Sequence, residues 1–290
     1  MQAQKTEITL LIDPGHGGKD PGHLSSFERI SQEKEIALEI ATKIGNYLLF
    51  NLSHVNVLYT RTTDEYPTLD ERVEMANSKN VDYVLSVHVN GNPNENVYGT
   101  ETHIHNFDAK ISYAWALLIE EQFKTRAGRK SRGVKTVDDL GHSLQILKFT
   151  KMPTVLVECG FITNSDEATF LNSVYGQEII ASAIFRATRT MLKTNHPEID
   201  FTPTTDLITE TKEEPYYKVQ IMASIDSIST NINEFKKLTY PVERVMTESS
   251  SIYRYKYYVG PFIDKKEAKK AQKSVQETGF PDAFLIYYEK

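Results

Sequence analysis

Cysteine is nearly absent: the 290-residue chain carries one, Cys159. An internal disulfide framework is thereby excluded, although compartment is left open, since exported proteins also fold without cystines. Long apolar runs are missing too, and no segment approaches the roughly 20 residues that a membrane-spanning helix requires. Basic charge is not in excess. Lys and Arg number 33 against 39 Asp and Glu, a net charge of −6, which argues against a nucleic-acid-binding chain. Residues 1–4, Met-Gln-Ala-Gln, lack the basic and apolar regions of a secretory leader, so the chain is expected to be intracellular or a mature form from which a leader has been removed. There is no Gly-x-Ser-x-Gly elbow, which disfavours a serine hydrolase, and Gly18-Lys19 is followed by Asp20 where a phosphate-binding loop needs Ser or Thr. What is present is a globular composition, 40% hydrophobic and 25% charged, with length for roughly one to three domains.

Residues 194–215 hold Pro197, Pro203 and Pro215, with six acidic residues against the single Lys212, and read as a linker between a domain at 1–193 and another at 216–290. The first domain alternates strand patterns (8–13, 55–60, 81–90, 101–105, 154–158) with helical ones (31–51, 69–78, 112–127, 176–193). That alternation predicts an α/β fold, a mostly parallel twisted sheet covered by helices on both faces. Residues 216–290 carry 12 basic and 9 acidic residues and read as strand, helix, strand, strand, helix, strand. The strands are expected at 217–223, 242–247, 254–260 and 283–288 and the helices at 227–238 and 265–278, a small α+β ferredoxin/RNP-like sandwich with one sheet face free. Strict alternation puts Lys218, Gln220 and Met222 on one face and Val219 and Ile221 on the other. Tyr253, Tyr255, Tyr257, Tyr258, Tyr287 and Tyr288 crowd the same domain.

Four polar side chains stand at element ends. His16 lies in the glycine-rich turn Asp13-Pro-Gly-His-Gly-Gly18 after an apolar strand, Glu33 opens a helical pattern, His88 ends the run 84–87, and Glu158 ends Val155-Leu-Val157. In open α/β sheets ligands gather beyond the carboxyl ends of the strands, so the four can converge. Two His and one Glu with a fourth position left to water is a catalytic zinc set, and a further carboxylate can take the water's proton and return it to a leaving nitrogen. Other readings stand beside this one. The glycine turn can cradle phosphate, Glu33 can complement a helix dipole, and His103 and His105 alternate on a strand as ligands or as structural residues. Cys159 offers a thiol nucleophile; adjacent strand residues face opposite ways, however, so a site-facing Glu158 leaves Cys159 as a small buried hydrophobe.

The turn at 13–18, together with Thr60-Arg-Thr-Thr-Asp64, the segment 69–77, Ser86-Val-His-Val-Asn90, Arg132-Gly-Val-Lys135 and the segment 152–164, resembles the zinc-dependent N-acetylmuramoyl-L-alanine amidases of the type 3 group. The resemblance implies that His16, Glu33 and His88 bind Zn2+ and that Glu158 is the catalytic carboxylate. It further implies that the substrate is peptidoglycan, cut between N-acetylmuramic acid and the L-alanine of its stem peptide. Asn90 and Arg61 become candidates for substrate contact, and Arg72 for a structural anchor. The segment 91–96 departs from the family pattern and leaves that loop's contacts unassigned. Some relatives place an inhibitory helix between the second histidine and the last glutamate; here ordinary elements use up residues 89–157 and no autoinhibition is expected. Residues 216–290 resemble SPOR domains, through Tyr217-Lys-Val-Gln-Ile221 and Tyr257-Tyr-Val-Gly-Pro-Phe262. This implies binding to peptide-stripped glycan strands at division septa and a periplasmic or cell-wall location, with Gln220 and Tyr257 as the candidate contacts. A zinc carboxypeptidase or deacetylase would share the metal chemistry, while a non-catalytic glycan-binding protein would have lost a ligand or the final glutamate; all four residues are present.

Overall fold

The computed structural model describes residues 6–27, 29–202, 216–224, 228–230, 232–246 and 255–288. The chain divides into two compact units, Met1–Thr204 and Thr205–Lys290.

In the first unit β1 (Ile8–Pro14), β2 (Val55–Tyr59), β3 (Tyr83–Asn90), β4 (Thr100–Ile104), β5 (Ser131–Thr136) and β6 (Thr154–Phe161) form one sheet in the order β2-β1-β3-β6-β4-β5. Pairings are parallel except β4 against β6, so β4 and β5 run opposite to the rest. The helices are α1 (Glu33–Asn51), α2 (Leu69–Ser78), α3 (Lys110–Thr125), the short α4 (Val137–Leu140) and α5 (Gln145–Phe149), α6 (Ser165–Asn172) and α7 (Val174–Asn195). Strand alternation sorts the core into two layers. Leu10, Ile12, Leu85, Val87, Val155, Val157 and Cys159 join Ile36, Ile40, Ile44 and Leu48 of α1, Trp115 of α3 and Ile184 of α7 on one face. Leu11, Val84 and Leu156 join Ala76 of α2 and Ile146 and Leu147 of α5 on the other. Burying each large aliphatic side chain in these layers contributes about 1.5–3 kcal/mol. The parity fixes function as well: His88 shares its face with Val84, and Glu158 with Leu156, so both project on the α2/α5 side.

The expected boundary at 193 falls inside α7. Beyond it Phe201 is buried in the core, and its carbonyl accepts from Ser53 N–H at 3.2 Å. Acidic and proline-rich composition therefore concealed an ordered return to the sheet through residue 202; residues 203–215 of the predicted linker lie outside the described residues.

The second unit contains β7 (Tyr216–Ser224), α8 (Asn233–Lys236), β8 (Val242–Met246), β9 (Tyr255–Phe262), α9 (Lys265–Glu277) and β10 (Phe284–Tyr288), with an antiparallel sheet in the order β10-β7-β9-β8. This is the expected ferredoxin/RNP-like order. The first predicted helix is a single turn among the described residues. Phe235 of α8 and Ala271 and Val275 of α9 cover one face with Val219, Ile221 and Val259. A register shift between Gln220 and Met222 turns Met222 to the core side, against strict alternation.

Candidate metal centre

β1 ends beside β3, and the turn that follows is possible only because of what it lacks. A Cβ on Gly15 would fall 2.3 Å from the His88 ring, and His16 itself takes φ 58°. Two arginines hold this turn. Arg72 donates to Asp13 Oδ1 (2.6 Å) and to the carbonyls of Pro14 (2.8 Å) and His16 (2.6 Å). Arg61 donates to the carbonyls of Pro14, Gly15, Thr63 and Lys34 at 2.7–3.1 Å. Arg61 is thus buried and committed to backbone, and the expectation that it contacts substrate is corrected: it shapes the loop that carries His16. Asp13 receives Arg72, Thr60 Oγ1 (2.6 Å) and Ser86 Oγ (2.7 Å). Burial raises its carboxyl pKa, but the guanidinium and hydroxyls outweigh burial and hold it below the usual range.

His16, Glu33 and His88 come together, their donor atoms all within 4.8 Å of one another. Glu33 Oε1 lies 3.1 Å from His16 Nε2 and 3.1 Å from His88 Nδ1. Zinc bonded tetrahedrally at about 2.0–2.1 Å has ligand–ligand edges of about 3.3 Å, so the donor set fits that ion. Asp20 Oδ2 pairs with His16 Nδ1 at 2.8 Å, which fixes the ring and leaves Nε2 facing the centre. Glu33 is 1% exposed, and a buried anion of this kind needs cationic company. Burial alone would raise its pKa, but the hydrogen bonds from His16, His23 and His88 hold it well below the usual carboxylate value.

Burial lowers the proton affinity of His16, yet the hydrogen bonds and charges of Glu33 and Asp20 outweigh burial and raise its pKa above 6.5. Because a raised pKa keeps the ring protonated to higher pH while a metal ligand must be neutral, a cation bound here would displace a proton. Zinc affinity is expected to weaken as pH falls through the raised pKa, and titrating zinc into metal-free protein near neutrality is expected to acidify a weak buffer. Zinc affinity that stays unchanged as pH falls through and below neutrality would contradict this linkage.

Glu158 sits directly opposite His88 in the β3–β6 register and opposite Glu101 in the β4–β6 register. Its Oε2 is buried with no hydrogen-bond partner. Burial first, then the charges of Glu33 and Glu101, push its pKa well above the usual value. Glu101 is itself held as an anion, down to about 2, since His103 (3.1 Å) and Arg132 (2.6 Å) outweigh its burial. His103 is accordingly a buried structural partner of Glu101. His105 lines a separate cleft with Lys110, Lys148 and Thr154, apart from the cluster. Cys159 faces the opposite core layer, where burial pushes its thiol pKa well up. Asn90 closes β3, its Oδ1 accepting from Gly91 N–H at 2.8 Å. His16 and His88 open onto a cleft of about 230 Å³ walled by Tyr66, Leu69, Arg72 and the segment Ser143, Leu144, Gln145, Ile146. Sequence reasoning missed Asp20, His23, Glu101 and Arg132. Asp20 had a signal, four residues from His16 in the same turn; His23 comes from a loop, Glu101 from the inner strand β4 and Arg132 from the polar edge strand β5.

In the second unit Tyr257 is 0% exposed, packed on Phe235, with its hydroxyl bonded to the backbone of Ile228. Its expected place on the free face is therefore corrected: Tyr255, Tyr257 and Val259 share the core parity of β9, and Tyr258 takes the other side. Gln220 pairs in register with Tyr258 on that helix-free side and is largely buried. Around it stand Tyr216 stacked on Tyr288 (5.0 Å) and Lys218, whose ammonium lies 5.8–5.9 Å from the rings of Tyr216, Tyr258 and Tyr288 and 2.6 Å from Glu243. Tyr253 lies outside the described residues.

A mixed α/β sheet with a His–Glu–His donor cluster and an unpartnered carboxylate at its carboxyl end defines a class of α/β proteins whose strand ends could hold a metal ion. The chain belongs to the N-acetylmuramoyl-L-alanine amidase family Amidase_3, whose model matches residues 10–190, and residues 213–287 match the SPOR domain. It is 35% identical over 181 residues to the N-acetylmuramoyl-L-alanine amidase LytC of Bacillus subtilis (strain 168), covering 62% of this chain and 34% of LytC. It is 32% identical over 166 residues to the amidase CwlM of Bacillus licheniformis, covering 57% of this chain and 61% of CwlM. The chain thus spans about a third of LytC and somewhat less than two thirds of CwlM. The crystal structure of an N-acetylmuramoyl-L-alanine amidase from Clostridium difficile 630 superposes with a TM-score of 0.61 at 29% identity, over 65% of this chain and 98% of that one.

Proposed function

We propose that the first unit is a zinc-dependent N-acetylmuramoyl-L-alanine amidase that releases stem peptides from peptidoglycan. The observation that carries this reading is the pairing of a zinc-shaped donor set with a buried, unpartnered glutamate oxygen on the adjacent strand. His16 Nε2, Glu33 Oε1 and His88 Nδ1 would hold the ion. When bound, zinc supplies a Lewis acid and lowers the pKa of a water from about 9 to about 7. Glu158 would serve as general base toward the attacking water and then as general acid toward the departing amide nitrogen of L-alanine, so that the C–N bond breaks to leave a lactyl carboxylate and a free amine on the peptide. The fixed anion of Glu101 beside Glu158 raises its proton affinity and so strengthens it as the base that takes the proton. Asn90, two residues past His88, is the remaining side chain assigned to substrate contact. Mass spectrometry of digested peptidoglycan tests the reading: free stem peptides beginning with L-alanine are expected, whereas shortened stems or free acetate would make the enzyme a carboxypeptidase or a deacetylase.

For the second unit we propose binding to peptide-stripped glycan through the helix-free face, where the partly exposed Lys218, Tyr216 and Tyr288 lie over the buried Gln220 and Tyr258 and the stacked rings suit sugar faces. An enzyme that strips peptides, tethered to a module that binds stripped strands, is recruited by its own product at the septal cell wall, in cell separation. Removing residues 216–290 is expected to abolish septal enrichment of a fluorescent fusion while leaving turnover of small soluble muropeptides within about twofold, because the deletion removes no residue of the donor cluster. Unchanged septal enrichment would refute the targeting role.

A further inference from the structure

The two oxygens of Glu33 are treated differently. Oε1 faces His16 and His88 and accepts from Val89 N–H at 3.0 Å, whereas Oε2 points away from the cluster and is held by one residue twice, His23 N–H at 2.7 Å and His23 Nδ1 at 2.9 Å. His23 is itself fixed from two sides. Its carbonyl accepts from Glu33 N–H at 3.3 Å, tying the loop to the first turn of α1, and its ring lies against Gly91, where a Cβ would fall 2.3 Å from Cδ2. Gly22, the residue before it, leaves the gap through which the carboxylate reaches: a Cβ there would fall 2.5 Å from Glu33 Oε2. A carboxylate that can swing or grip with both oxygens is a poorly defined ligand; one whose second oxygen is saturated by two donors offers a single oxygen in a single place.

Resting on the zinc reading above, we infer that His23 is a positioning residue that fixes Glu33 as a one-oxygen ligand. It is not a ligand itself: its Nδ1 addresses the oxygen turned away from the cluster, and it stands outside the group His16, Glu33 and His88. Whatever its charge, Nδ1 carries the proton donated to Oε2. His23→Leu removes that donor and keeps the bulk; His23→Asn keeps a donor near the Nδ1 position.

Zinc affinity of the full chain, measured by competition with a chromogenic chelator, separates the possibilities. His23→Leu is expected to weaken zinc roughly 10- to 100-fold, with His23→Asn recovering most of the loss. At saturating zinc, KM is expected to stay near wild type, because the substrate side is untouched. The melting temperature of the metal-free chain reports folding separately; should His23→Leu fail to fold, His23→Asn decides, near-wild-type affinity supporting the assignment. Wild-type affinity in a folded His23→Leu, or an equal loss in both variants, would overturn it. A wild-type chain that takes no zinc at all would instead remove the metal reading on which the assignment rests.

Discussion

Glu158→Gln is expected to keep its zinc and lose about 10²- to 10⁴-fold in kcat, the range contributed by a positioned general acid–base. The substitution preserves volume and, at a position whose Oε2 has no partner to lose, removes only the ability to take and return a proton. Folding is expected to be unharmed, because in the metal-free chain burial and the neighbouring Glu33 and Glu101 favour the uncharged form that glutamine imitates. Zinc content and steady-state rate measured on one preparation decide the matter. Activity near wild type removes Glu158 from the chemistry, whereas loss of zinc along with activity makes it part of the metal's cage.

The largest stability effect is expected at Arg72→Leu, about 3–5 kcal/mol in denaturant unfolding, because Asp13 would lose its ion pair and be left as a buried anion hydrogen-bonded to the Thr60 and Ser86 hydroxyls. The same guanidinium holds the carbonyls of Pro14 and His16, so the His16 turn loosens together with the core. Asp13→Asn in the same chain is expected to recover much of the loss, since removing both charges costs less than stranding one. As the folded pKa of Asp13 is depressed, its contribution is complete above the ordinary carboxylate range and is lost as pH falls through the folded value. A change below about 1 kcal/mol for Arg72→Leu would place this pair among ordinary surface bridges.

Much of this was legible from strand parity. Runs such as Val155-Leu-Val157 announce buried strands, and counting by twos puts Glu158 and His88 on one face and Cys159 on the other. The misses have equally local causes. β5, Ser131-Arg-Gly-Val-Lys-Thr136, is a polar, half-exposed edge strand with no apolar run to betray it, and α4 and α5 are too short to show a period. Arg61 sits in a motif that says where it lies but not which way its guanidinium turns, and carbonyls claimed it. Tyr257 lies in a cluster of tyrosines that composition alone does not sort by face, and a bulge displaces Met222 from the face that strict alternation gives it. His23 and Asp20 act across a glycine-rich loop, where no periodicity links a side chain to its partner.

The central claim is one cation held by two imidazoles and a glutamate. Zinc content per chain, read by native mass spectrometry of the full-length protein after reconstitution, addresses it most directly. The account expects one zinc in the wild type and in Glu158→Gln, and none in His16→Ala or Glu33→Ala. A wild-type chain that stays metal-free, or a Glu33→Ala chain that keeps its zinc, would contradict it.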